Sequence, residues 1–265
     1  MAATPATRAR LRSVGVVLGV ALLGLGVGAV LVLVTLLGLR FGGVELTPLL
    51  LLVVSLLLFQ GVTMGGVAIA YMRYRGLTLD YVGLGDVFGD PLRDGVAVAV
   101  GWVLSLGAAF TAATLASLVG AQGGTNQAAE IAAQDPEVLL FLIPGAFLLI
   151  GPGEELLFRG IIQGRLRESF GPAAGVVIAA ALFAAVHVAA VTGGLSARLV
   201  SVAILFPPSL VFGAAYELTD NLAVPALIHG AYNATLFALL YVALKFMDLS
   251  LPESGGALLV LAGLV

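Results

Sequence analysis

Histidine occurs twice in these 265 residues and cysteine not at all, so few side chains can hold or move a proton near neutral pH. His187 stands in LFAAVHVAA and His229 in ALIHGAYNATL, both within long apolar runs. The decapeptide GPGEELLFRG, residues 151–160, sets Glu154, Glu155 and Arg159 in similar surroundings. A charged group at the centre of a bilayer costs about 2.5–3.5 kcal/mol on insertion scales, so such groups turn into the bundle and mark a working site. Residues four apart on a helix share a face. His229 therefore points with Asn233, Phe183 sits one turn before His187, and Glu155 is placed to pair with Arg159. Glu154 projects about 100° round the helix from Glu155 and is left to aim inward. One carboxylate, two imidazoles and one amide thus converge from three helices, with Glu155 and Arg159 holding the carboxylate's helix in register. A carboxylate in an apolar pocket can take a proton from water, while imidazoles and an amide orient that water or stabilise an oxyanion. Glu154, His187 and His229 also match ligand sets of catalytic zinc with one position open. Composition does not separate the two.

The elements that must carry these residues are membrane helices. Hydrophobic residues make up 60% of the chain and charged ones 10%, with a mean hydropathy of +1.13, whereas soluble domains carry about 25% charged residues. About 20 apolar residues cross the hydrocarbon core as a helix, and strand-like alternation over about ten residues is absent. The expected fold is all-α, a polytopic transmembrane bundle of about 7–8 spans, near 13–39, 46–72, 95–119, 137–162, 172–192, 197–216 and 222–244, followed by a short apolar tail at 255–265. The first run follows Arg8, Arg10 and Arg12 and lacks a signal peptide's short core, so it is expected to stay as a span. With the N-terminus inside, eight Lys or Arg face the cytoplasm and three, Arg40, Arg198 and Lys245, lie outside. That bias favours a multi-pass cell-membrane protein with a cytoplasmic N-terminus. The chain divides into N-terminal spans, 1–135, with an interfacial loop at 74–94, a core at 136–246 that holds the chemistry, and the tail, 247–265. Pro207 and Pro208 are expected to kink or break the sixth span unless neighbours take up the freed carbonyls. With the fourth span ending at 162, Glu154 and His229 fall in the cytoplasmic half while His187 comes late in a span running outward. Either Pro172 starts its helix deep in the membrane or the boundaries are off by a turn.

Several classes are closed. Without cysteine there is no disulfide framework, thiolate metal site or thiol nucleophile. A net charge of −3 and the lack of a basic cluster interleaved with aromatics argue against a nucleic-acid partner. Gly83-Leu84-Gly85-Asp86 reads as the GxGD of presenilin-type proteases, but it sits in a polar loop and no second aspartate lies in an apolar span. HExxH is absent, and no serine stands in a rhomboid-like context. A proton-coupled transporter using the same Glu and His groups, or a silent membrane scaffold, are the alternatives from other classes; no internal repeat supports the first.

Taken together, Glu154-Glu155-Leu-Leu-Phe-Arg159, Phe183-Ala-Ala-Val-His187 and His229-Gly-Ala-Tyr-Asn233 resemble the EExxxR, FxxxH and HxxxN pattern of the CPBP family of intramembrane proteases, also called the Abi or CAAX-protease family. The three motifs occur in order and use both histidines, and the likeness covers roughly 140–245. The resemblance implies an endopeptidase cutting a peptide bond at or within the membrane, with Glu154 as general base. His187, His229 and Asn233 would take the water, metal or oxyanion roles, and Glu155, Arg159 and Phe183 would support the site or bind substrate. It also implies membrane lipid as surroundings and a peptide or membrane-protein substrate, prenylated in some members. As cofactor it allows a divalent metal, zinc foremost, on Glu154, His187 and His229; a metal-free glutamate mechanism is equally compatible.

Overall fold

A computed structural model describes residues 4–87 and 89–247; the apolar tail expected at 255–265 lies outside them. Among the described residues seven helices are long and apolar enough to cross a membrane: α1 (Pro5–Phe41), α2 (Pro48–Arg75), α3 (Pro91–Leu118), α4 (Val138–Phe170), α5 (Pro172–Ala189), α6 (Leu195–Thr219) and α7 (Ala223–Phe246). Their starts are written locally. Thr4, Thr47 and Asp90 each accept a hydrogen bond from a first-turn backbone N–H and precede a proline at the first helical position. That pairing satisfies an orphan donor and presets the backbone. Between α4 and α5 the chain turns at Gly171, whose φ of +84° suits a residue without Cβ.

The centre of the bundle is α4. Half of its most apolar stretch is buried, more than in any other spanning helix, and α1, α2, α5 and α7 pack round it while α3 closes against α6 and α7. Leu22, Leu33, Val103 and Leu148 point outward as a lipid-facing surface should. Residues 76–87 dock under this bundle, with Val82 fully buried among α4 side chains. Tyr81 donates to Glu168 at 2.9 Å; burial first, then that hydrogen bond, holds its hydroxyl well above the ordinary tyrosine range, so it stays a donor.

Two expectations need correction. The fourth span runs to Phe170 rather than 162. Glu154 and His187 then lie 17 residues before and 16 residues after Gly171, at matching depth on an antiparallel hairpin, about 24 Å from the turn at 1.5 Å per residue. The mismatch in depth was a boundary error of two turns. In addition, α6 passes through Pro207 and Pro208 without a break. A helical φ is what proline already has, and α3 and α5 flank α6 along its length, so packing carries the helix across the missing bonds.

Candidate active site

The carboxylates stand on an unusual stretch of backbone. Gly151–Glu155 is a short α-helical piece between two π-helical runs, Ala146–Ile150 and Leu156–Gln163, and the facing part of α2, Leu56–Gly65, is π-helical as well. Such wide turns re-aim side chains and recur at functional sites. Here they turn Glu154 and Glu155 toward different neighbours.

Glu154 Oε2 lies 4.0 Å from His187 Nε2 and 3.9 Å from His229 Nε2, and it is buried without a hydrogen-bond partner. Its other oxygen accepts a 2.7 Å bond from the Gln60 amide. Glu155 holds His229 from behind: its Oε1 accepts from His229 Nδ1 at 2.8 Å, and its Oε2 lies 3.3 Å from Arg159 Nε, the Glu155 and Arg159 side chains being fully buried. The guanidinium donates to the carbonyl and hydroxyl of Ser209 and lies 4.6 Å over the Phe183 ring. Phe183 also packs beside both histidines, and Phe212 stacks on His229 at 4.9 Å. The structure thus brings Glu154, His187 and His229 into one pocket, with Glu155, Arg159 and Phe183 behind it. Asn233 is buried one turn beyond His229.

The hydrogen bonds fix both imidazoles. His187 Nδ1 sits 2.7 Å from the Phe183 carbonyl and His229 Nδ1 faces a carboxylate, and either acceptor requires an N–H at Nδ1. In the neutral rings both Nε2 atoms then carry lone pairs, so Glu154 Oε2 faces two further acceptors. Such a set calls for a donor or a cation between them. At 3.9–4.0 Å the spacing lets one water molecule reach two of the atoms at hydrogen-bond length. A tetrahedral ion with bonds of about 2.0–2.1 Å needs its ligand atoms about half an ångström closer. The donor chemistry nevertheless fits zinc, because metal-bound histidines commonly give the other ring N–H to a carboxylate or carbonyl, as these do. Among the described residues no group of three such side chains stands at metal-binding distances. Side-chain exposure is 5% for Glu154 and His229 and 26% for His187, so the pocket opens along His187.

Some polar partners were not read from the sequence. On α4, Arg159, Gln163 and Arg167 recur every four residues and meet Ser209, Gly213 and Glu217 of α6. A Cβ on Gly213 would stand 2.9 Å from the Gln163 amide oxygen, so the two helices approach closely at that position. The four-residue periodicity was visible; the pairing of the two stripes was not. Gln60 carried a signal too, as a lone amide in LLLFQGVTM, an otherwise nearly apolar segment.

The described residues thus form a helical polytopic bundle that sets one buried glutamate against two imidazoles. Residues 136–235 match the family model described as Rce1-like, type II CAAX prenyl endopeptidase Rce1-like, which bears out the resemblance to the CPBP family carried by the three motifs. No curated protein and no solved structure gave a match.

Proposed function

We propose that this chain is an endopeptidase that hydrolyses a peptide bond within the membrane by water activated at Glu154. The observation that carries the reading is the convergence of the unpartnered Glu154 Oε2 with two Nε2 lone pairs, inside the segment that matches an endopeptidase family. A water between them gives one proton toward Glu154 and one toward an imidazole, and its own lone pair is left for the scissile carbonyl. Glu154 takes a proton as the C–O bond forms, then passes it to the amide nitrogen as the C–N bond breaks, so the products are a carboxylic acid and an amine. Asn233 supplies an N–H to the oxyanion. Zinc bound to Glu154, His187 and His229 would polarise the water and the carbonyl, and the Nδ1–H bonds to the Phe183 carbonyl and Glu155 favour that second reading. The substrate is a peptide or membrane protein presented from lipid, and a prenylated C-terminal peptide is the class that the family description names. The N-terminus lies at the cytoplasmic face of the cell membrane.

Cleavage of quenched peptides in liposomes, a prenylated CAAX peptide among them, tests this on wild type and Glu154→Gln with and without a chelator. The wild type should cleave, and the variant should lose at least about a hundredfold in rate with insertion and thermal stability unchanged. A variant at wild-type rate removes Glu154 as base; a folded wild type that cleaves nothing removes the protease reading. Chelator inhibition reversed by zinc assigns the ion, and indifference to chelator assigns water alone.

A further inference from the structure

Glu154 has a partner that comes from outside the segment 136–235. Gln60, on α2, donates from Nε2 to Glu154 Oε1 at 2.7 Å across 94 residues of sequence. The backbone brings the two together by design of one position: a Cβ on Gly153 would run into the Gln60 carbonyl, so α2 can cross α4 this closely only where α4 carries glycine next to its glutamates. Both helices are π-helical beside the crossing. An amide facing an ionised carboxylate must present its N–H, which leaves Gln60 Oε1 turned away, and that oxygen is buried without a hydrogen-bond partner. An unpaired buried acceptor costs stability, so this is not the arrangement that packing alone would select.

We propose that Gln60 is a positioning residue for Glu154: its N–H occupies Oε1, fixes the rotation of the carboxylate, and leaves Oε2 as the one oxygen presented to His187 and His229. The proposal rests on the protease reading for its consequence and on the geometry for its substance. A carboxylate whose two oxygens are interchangeable spends part of its time with the wrong lone pairs toward water, and a donor on one oxygen ends that degeneracy. The working site then spans α2, α4, α5 and α7, and the N-terminal helices belong to the catalytic unit rather than only anchoring it.

Gln60→Met keeps an unbranched side chain of the same length and removes the donor. In the liposome assay it should lower kcat by about 10–100-fold, the usual cost of an outer partner, with KM within about threefold and the same melting temperature. Gln60→Glu keeps the shape and puts a second acid against Glu154, so it should lose kcat as well, and it decides the matter if Gln60→Met does not fold. A second readout needs no substrate. The infrared difference spectrum of wild type minus Glu154→Gln isolates the carboxylate stretches of Glu154, and Gln60→Met should shift them by removing the hydrogen bond. If wild type cleaves no peptide, the protease reading fails while the infrared arm still judges the contact. Either substitution with wild-type kcat, or an unshifted carboxylate band in Gln60→Met, overturns the positioning role.

Discussion

Arg159 is the bulkiest of the fully buried side chains, and its surroundings explain how two adjacent glutamates come to differ. Glu155 faces a cation and an imidazole N–H and is tied down; Glu154, about 100° away on the helix, has one oxygen committed and one open. The guanidinium itself is held less by matched hydrogen bonds than by charge and by aromatic faces, since Nε and Nη1 lack aligned acceptors while Phe183 and Phe212 lie beneath it at 4.6 and 5.7 Å. Cation–π contact grows when both groups are desolvated, as here. Removing one member of a buried pair leaves an uncompensated charge and costs about 3–5 kcal/mol. Arg159→Leu should therefore lower the yield of folded protein and the melting temperature along with activity, whereas Glu154→Gln should lower activity alone. A well-folded Arg159→Leu protein with normal cleavage would refute this division of labour. Thermal unfolding in detergent and cleavage rate, measured on the same preparations, make the comparison.

Between elements, the contacts that matter follow from register. Arg159 meets Ser209, Gln163 meets Gly213 and Arg167 meets Glu217, a constant offset that only two parallel helices can keep. Spacing of this sort is legible along one helix, so Glu155 with Arg159 and His229 with Asn233 could be placed on common faces from sequence. Which stripe faces which is set by tertiary packing and leaves no local mark. Gln60 illustrates the limit: an amide in an apolar run is noticeable, but its partner is 94 residues away. The crossing of α2 and α4 yields a prediction of its own. Gly153→Ala puts a methyl against the Gln60 backbone carbonyl, which cannot swing aside, and overpacking of this kind costs about 1–3 kcal/mol. Gly26 of α1 has open space around it, and there alanine should be neutral or stabilising by up to about 1 kcal/mol. Melting temperatures of the two variants should move apart, Gly153→Ala downward with loss of cleavage. Equal behaviour would mean that the close approach does not constrain the site.

At the scale of the molecule, the charge distribution bears on how the bundle stands in the membrane. The seven spans were readable because apolar runs exceed the bilayer's thickness, but their ends were not, since a helix such as α4 continues past the hydrocarbon on polar residues that composition assigns to a loop. Those polar ends cluster. Arg10 reaches Ser169, Arg75 and Arg165 meet Glu168, Arg93 caps the carbonyl of Thr219, and Arg167 faces Glu217 and Asp220. At the opposite end Arg198 bonds the Gly193 carbonyl and Lys245 pairs with Glu137. That pair, hydrogen-bonded first and charged second, holds the Glu137 carboxyl below its usual range. The arginine-rich end should be cytoplasmic under the positive-inside bias. The loop that follows α3 then lies outside, where it is fastened to the chain just beyond His187 by bonds from Gln127 to Ala190 and from Thr192 to Thr125. Because the chain contains no cysteine, single cysteines can be introduced without first stripping others. Gln134→Cys and Asp86→Cys both place the thiol at exposed positions at opposite ends of the bundle. A membrane-impermeant maleimide added to intact cells should label Gln134→Cys and leave Asp86→Cys untouched until the membrane is opened. The reverse pattern would invert the orientation.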